Sequence, residues 1–463
     1  MTTKASRRAF LRRASALSLA GPALPFVMNL AAMGEAAAAT AGDYKALVCV
    51  FLYGGNDYAN TLVPCDAVRY AAYQQQRPNL AYAQSALAAT VLAPSTALPG
   101  GARYALAPEL AKLLPIFDAG RMAVLLNVGT LVQPTTKAQY LARSVPLPPK
   151  LLSHNDQQSY WQASSPEGAA SGWGGRVGDL LQSGNGTSAL TCINVAGNAV
   201  YLTGRSAVQY SITSGGPIGL NARSSLQGSA AAGSLLQSLI RGGGSHDFEA
   251  VLGAIGGRAL DLYGQLSSAL ALAPVTTTPF PAALDPQSTL GAQLQMVAKL
   301  ISVAGELGVR RQVFFVSTSR YDTHDGLSTL HPKLLANLAD ALRAFYDTTV
   351  ELGVASRVTT FTASDFGRAL TANNDGTDHG WGSMHFVLGD AVRGGRYYGI
   401  NPALANGGPD DIGQGRLVPT MAVDQLAATL ASWFGVAASD LPTVVPTIAN
   451  YAGSALGTNL GFV

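Results

Sequence analysis

The chain has 463 residues, 48% of them hydrophobic and only 12% charged, with 51 glycines and 24 prolines. That composition fills a sizeable core and excludes disorder as the main state, while the glycines and prolines call for many turns and long loops. The formal charge of +3 is carried by residues 1–39, which hold five of the 30 basic side chains and one of the 27 acidic ones. The remaining 25 basic and 26 acidic residues are near balance, which disfavours a nucleic-acid binder with a basic face.

The first segment reads as an export leader. Ser6-Arg7-Arg8-Ala9-Phe10-Leu11-Arg12 precedes an apolar stretch from Ala14 to about Met33, and the small-residue run Ala36–Ala39 offers a cleavage site. The paired arginines add the twin-arginine mark, so a twin-arginine translocase is the expected export partner and the periplasm or exterior the expected location. Gly21, Pro22, Pro25 and Asn29 break the apolar stretch, which disfavours a permanent anchor, and no other segment approaches 18 uninterrupted apolar residues. A signal peptide over 1–39 and one domain over 40–463 are expected. Cys49, Cys65 and Cys192 lack C-x-x-C spacing; buried packing and one disulfide plus a free thiol both remain open.

Next come short apolar runs that end in loops. Residues 45–53 stop at Gly54-Gly55-Asn56-Asp57; 122–128, 312–318, 357–363 and 385–389 repeat the pattern of a strand buried on both faces. Helical patterns lie between them. Leu330, Leu334, Leu335, Leu338, Leu342 and Phe345 share one face over 328–347, with Ser328 as the expected cap; 289–306 and 105–118 behave similarly. Alternating strand and helix imply an α/β fold with a doubly wound, mostly parallel sheet. A Gly/Ser-rich stretch interrupts it, read as an insertion at about 182–288 with a small antiparallel unit near 190–212 and a Thr/Pro-rich loop over 272–288.

In such sheets ligands gather beyond the carboxyl ends of the strands. Asp57 follows the first strand, Asp322 and His324 the third, Asp365 and Arg368 the fourth, and Asp378 and His379 come before 385–389, where His385 lies. Acidic and imidazole groups in that arrangement suit a divalent cation, with zinc, manganese and calcium all open. Each group also has a structural reading: Asp57 as a turn residue, Asp322 and His324 as caps, Asp365 as a partner of Arg368, His385 as packed core. Ser153, ahead of His154-Asn155-Asp156, reads as a helix cap or as a nucleophile at a helix N-terminus. His246 and His331 read as surface or helix-start residues. No P-loop, dinucleotide fingerprint, G-x-S-x-G elbow or H-E-x-x-H is found.

Taken together, the leader and the motifs GGNDYANTLVP, SHNDQQSYW, YDTHDG, SDFGR and TDHGWGSMHFVLGDAV resemble the exported bacterial family catalogued as domain of unknown function 1501. The resemblance covers essentially the whole mature chain and implies membership of the alkaline-phosphatase-like superfamily of phosphatases, sulfatases and phosphomutases. It implies that Asp57 holds one metal with the nucleophile Ser153, and that Asp322, His324 and His379 hold another. It also implies an Asp-His pair where this chain has Asp365-Phe366, so a ligand of the first metal is missing; Asp378 or His385 could compensate. One or two divalent ions and a small anionic ester substrate are expected, with Arg368 as an oxyanion clamp. The expected function is an exported metal-dependent hydrolase of phosphate or sulfate esters. The alternative is a non-catalytic binding or assembly protein on a degenerate scaffold of that kind.

Overall fold

The computed structural model describes residues 44–220, 225–242, 246–286 and 289–463. The leader expected over 1–39 lies outside the described residues. In chain order the strands are β1 (Lys45–Leu52), β2 (Leu62–Pro64), β3 (Tyr104–Leu106), β4 (Met122–Gly129), β5 (Cys192–Asn194), β6 (Tyr210–Thr213) and β7 (Gly216–Pro217). They continue with β8 (Arg311–Thr318), β9 (Val358–Ser364), β10 (Arg368–Ala372), β11 (Thr377–His379), β12 (Ser383–Leu388), β13 (Arg396–Tyr398) and β14 (Met421–Ala422).

Ten of them form one sheet in the order β13-β4-β12-β9-β1-β8-β5-β6-β7, with β14 beside β4. β1 lies parallel to both β8 and β9, while β12 runs antiparallel between β9 and β4. The fold is therefore α/β with a mostly parallel sheet. Residues of β1 alternate between two cores: Ala46, Val48, Val50 and Leu52 face one, Leu47, Cys49 and Phe51 the other. Burial on both sides explains why this strand is continuously apolar rather than alternating. Helices Leu290–Ser302 and Leu327–Glu351 cover the first face through Leu294, Val297, Leu334, Leu338 and Phe345. Helices Trp173–Leu181 and Val423–Phe434 cover the second through Val177, Leu426 and Leu430. No helix among the described residues is long and apolar enough to cross a membrane.

Three expectations change. The 327–351 helix is capped by Gly326 at φ 59°, not by Ser328, which already sits in its first turn. Residues 105–118 are broken by Pro108 and Pro115 into β3, a 3₁₀ stretch (Pro108–Leu113) and a five-residue helix (Leu114–Asp118). The Gly/Ser-rich stretch is not a separate antiparallel unit at its start, because β5 and β6 extend the main sheet in parallel. The chain leaves the sheet after β7, into two helices, Ala230–Arg241 and Asp247–Ala271.

The register puts Leu52 of β1 level with Thr318 of β8 and Ser364 of β9, so all three strands end together and their loops meet at one edge. A buried ion pair locks this edge. Asp57 caps the turn Tyr58–Asn60 and meets Arg77 at 2.7 Å, with both side chains fully buried. Arg77 also donates to the carbonyls of Ala369 and Leu370 on β10, and Thr377 of β11 donates to the second Asp57 oxygen. Burial alone raises the Asp57 carboxyl, but the Arg77 guanidinium overrides it and holds the group below its usual range. Both Asp57 oxygens are thus engaged structurally, which corrects the expectation that Asp57 faces a cation. Arg77→Met strands a buried carboxylate and should cost about 3–5 kcal/mol in urea unfolding. A loss below about 1 kcal/mol would show that the pair does not hold this edge.

Candidate functional site

Four segments converge beyond the strand ends. The exit of β8 supplies Asp322 and His324, the exit of β9 supplies Asp365 and Phe366, and the antiparallel pair β10–β11 supplies Arg368, Asp378 and His379. The helix His154–Ala163 contributes its first residue. Gly54 makes the convergence sterically feasible: at φ +115°, an added Cβ would lie 2.3 Å from the Asp322 amide nitrogen.

Asp322 is the hub. Its Oδ2 lies 3.3 Å from His154 Nε2, and its Oδ1 lies 3.2 Å from both His379 Nε2 and His324 Nε2. Arg368 Nη1 donates to Oδ1 at 2.7 Å. On the far side of each ring stands an oxygen. His154 Nδ1 is 2.6 Å from Asp365 Oδ2, which also accepts from Gly54 N–H and Gln158 Nε2. His379 Nδ1 is 2.8 Å from the Leu152 carbonyl, held out by a left-handed backbone at φ 72° that a leucine rarely adopts. His324 Nδ1 is 3.6 Å from Asp378 Oδ1.

A carbonyl only accepts, so His379 Nδ1 carries a proton and Nε2 is the nitrogen turned towards Asp322. That nitrogen faces a carboxylate oxygen at 3.2 Å and His324 Nε2 at 2.9 Å. His154 Nε2, buried beside Asp322, makes no hydrogen bond of good geometry. Imidazole nitrogens crowded against one carboxylate need a proton or a cation between each of them and the oxygen. Phe366, buried under the cluster, sits 4.9 Å from the His154 ring and 4.7 Å from that of His379, which restricts both.

The donor set fits a divalent cation. One ligand atom each from His154, Asp322 and His379 lies within 4.8 Å of the other two. Ligands bound at about 2.0–2.1 Å to a tetrahedral ion sit roughly 3.3 Å apart, close to the Asp322 separations above. Oxygens behind the rings fix the tautomer that leaves Nε2 available. Without a cation, the carboxylates of Asp322 and Asp365 facing its two nitrogens push the His154 imidazole up to about 9 against the opposing effect of burial. Burial works to raise the Asp322 carboxyl, but His154, His379 and Arg368 beside it hold it well below the usual range.

The structure thus brings together Asp322, His324, Asp365, Asp378 and His379. Asp365 stands behind His154 rather than pointing inward, and Asp378 accepts from Asn373 Nδ2 at 2.9 Å on the outer side of His324. Two candidates lie elsewhere: Asp57, paired with Arg77, and His385, buried on β12 against Trp161 with Nδ1 3.3 Å from Thr362 Oγ1. Arg368 is corrected from substrate clamp to positioning residue, since its side chain is fully buried and bonds Thr377, the Gly54 carbonyl and Asp322. Ser153 precedes the helix but makes no side-chain cap bond; its Oγ donates to Asp156 Oδ2 at 3.0 Å. His331 is fully buried, not superficial, with Nε2 3.0 Å from Asn56 Oδ1. All three cysteines are free. The residue that sequence reading passed over is His154. Its signal is the pair His154 and Gln158, one helical turn apart, both reaching Asp365.

Residues 44–441 match the family described as "Protein of unknown function (DUF1501)". This chain belongs to that family. No curated protein matches this DUF1501 chain. Solved structures similar to it include the PsFucS1 sulfatase from Pseudoalteromonas sp., at 9% identity and TM-score 0.36, covering 90% of this chain and 72% of that one. Another is the lipoteichoic acid synthase LtaP from Listeria monocytogenes, at 8% identity and TM-score 0.32, covering 89% and 79%. The chemistry of the DUF1501 site is accordingly built from its own residues.

Two imidazoles of the DUF1501 chain bear on acid stability. Burial pulls His331 down to about 4 and His385 down to about 3. Both are neutral when folded and protonate near 6.5 when unfolded, so their contribution is complete above that pH and is lost as pH falls towards 4 and 3. Each should remove about 1.4 kcal/mol of stability per pH unit below 6.5. Urea unfolding at pH 7, 6 and 5 checks this, and His385→Gln should flatten the slope.

Proposed function

We propose that this protein is an exported metal-dependent hydrolase of small phosphate or sulfate esters, built around one divalent cation site. The observation that carries the reading is the pair of anchored imidazoles, His154 and His379, whose Nε2 atoms both face Asp322. His154, Asp322 and His379 are the proposed ligands, with His324 beside them on the more exposed side. A divalent cation bound there supplies a Lewis acid for an ester oxygen and neutralises charge that builds on it. Ser153, adjacent in sequence to His154, is the proposed nucleophile. Asp156, already its hydrogen-bond acceptor, takes the hydroxyl proton as Oγ attacks. His324, exposed and loosely supported by Asp378, donates a proton to the leaving alcohol. Arg368 and Asp365 act indirectly by holding Asp322 and His154 in register.

A second reading, a binding or assembly protein with a structural cation, draws support from Phe366 and Asp57. Phe366 fills the place where the family resemblance implies a further ligand, and Arg77 occupies Asp57, so the arrangement supports one ion rather than two. Metal analysis separates the readings when combined with assays on aryl phosphate and aryl sulfate. The full chain should hold one equivalent of zinc or manganese, and Asp322→Ala or His379→Ala should weaken binding at least 100-fold. Ser153→Ala should keep the metal and lose ester hydrolysis by about 10³-fold or more. Metal retention with no hydrolysis by the parent protein would favour the second reading, and absence of metal binding would end both.

Cation affinity should also depend on pH in one direction. The His154 imidazole, raised to about 9 in the cation-free protein, must lose its proton to become a ligand. Affinity should therefore rise about tenfold per pH unit from 6.5 towards 9 and then level off. Competition with a chromophoric chelator at pH 6.5, 7.5 and 8.5 measures this; a flat profile would remove His154 from the ligand set.

A further inference from the structure

Away from the site, the helix Asp247–Ala271 is built inside out. Its sheltered face, with Gly253 buried and Gly256 and Gly257 half-buried, packs on the helix Ala230–Arg241, where Ile240 approaches so closely that a Cβ on Gly256 would meet it at 2.5 Å. The opposite face carries Phe248, Val251, Leu252 and Ile255, at the i, i+3, i+4, i+7 spacing of a single stripe. These four are 82%, 57%, 70% and 51% exposed. Leu235 and Leu239 of the shorter helix are 61% and 67% exposed. A solvated face of this kind normally carries charge; here it holds large apolar side chains in a segment that leaves the sheet altogether.

Three features select the occupant. The first is area. The four stripe side chains alone expose roughly 450 Å² of mostly apolar surface on one helical face, a size at which a contiguous patch marks an interaction site. The second is charge order. Asp247 and Arg258 are exposed and flank the stripe on the same side, one near its start and one near its end. Two copies of this helix packed antiparallel about a two-fold axis between Leu252 and Gly253 bring Asp247 of each beside Arg258 of the other, twice. The third is size. In that register Val251 of each helix falls level with Ala254 of the other along the same edge of the stripe, large against small.

We infer that this stripe is an isologous dimer interface, and that its partner is the same helix of a second copy of this chain. A two-fold contact is self-complementary by construction, and an acidic residue at one end with a basic residue at the other satisfies that demand in the antiparallel orientation only. A parallel pairing would set Asp247 against Asp247 and Arg258 against Arg258. An anionic lipid surface is a poorer match, because Asp247 and Glu249 occupy the first turn beside Phe248.

Sedimentation velocity and light scattering on the purified full chain test the inference between 1 and 100 μM. The parent protein should run as a dimer, and Leu252→Glu should raise the dissociation constant at least 30-fold while circular dichroism and the urea midpoint of the main fold stay unchanged. Charge exchange makes the decisive comparison: Asp247→Arg and Arg258→Asp should each weaken the dimer several-fold, and the double exchange should restore it. A parent protein that stays monomeric at 100 μM overturns the inference, whether or not it floats with anionic vesicles. A dimer indifferent to Leu252→Glu also overturns it, as does a double exchange no tighter than its singles.

Discussion

Everything at the candidate site turns on the carboxylate of Asp322. It is about two-fifths exposed and accepts from a buried guanidinium while facing three imidazole nitrogens. Arg368 cannot follow a moving partner, because the Thr377 and Gly54 carbonyls hold it from behind. Asp322 is therefore fixed by strands β10 and β11 as much as by its own loop, and the rings are fixed in turn by oxygens on other segments. Preorganisation of this kind would lower the cost of ordering these side chains around a cation.

The same logic explains why the edge holds a buried ion pair. A carboxylate with no water around it survives only when its lone pairs are occupied, and Asp57 achieves this through Arg77, Thr377 and the Asn60 amide. The pair ties the exit of β1 to β10, the strand that carries Arg368. Asp57 therefore supports the site at one remove. The positive charge beside Asp57 is thus an internal guanidinium.

Much of the fold is legible in the sequence because burial on both faces leaves a simple trace. Strands β1, β4, β8 and β9 are continuous apolar runs, and the 327–351 helix shows its core face through Leu334, Leu338 and Phe345. The loops after β8 and β9 are legible too, since carboxylates and histidines stand out in a chain with so little charge. What stays hidden depends on long-range partners. Nothing local distinguishes Asp57 from Asp322; only the arrival of Arg77, 20 residues on, decides that one is inward and structural. His385 and His379 are six residues apart, yet one faces Trp161 in the core and the other Asp322, because β12 turns back antiparallel against β9. His154 was masked by its neighbour: a serine before a helix suggests a cap, and the imidazole beside it contributes the contact instead.

The departures from local rules fall into two groups with different consequences. Leu152 at a positive φ and imidazole nitrogens crowded around Asp322 are costs that tertiary structure imposes at one edge of the sheet, where surrounding contacts hold them in place. Phe248, Val251, Leu252 and Ile255 on an outward helical face are different: no strain is present, the helix is regular, and every residue suits its backbone. Only the solvent is wrong for them. The hydrophobic effect acts on such a stripe wherever it lies, and water remains an unfavourable neighbour until another apolar surface replaces it. A small charged ligand would satisfy the first group and a large apolar surface the second. These requirements fall on separate parts of the chain, with the strand ends carrying one and the segment after β7 the other, so chemistry and assembly can change independently.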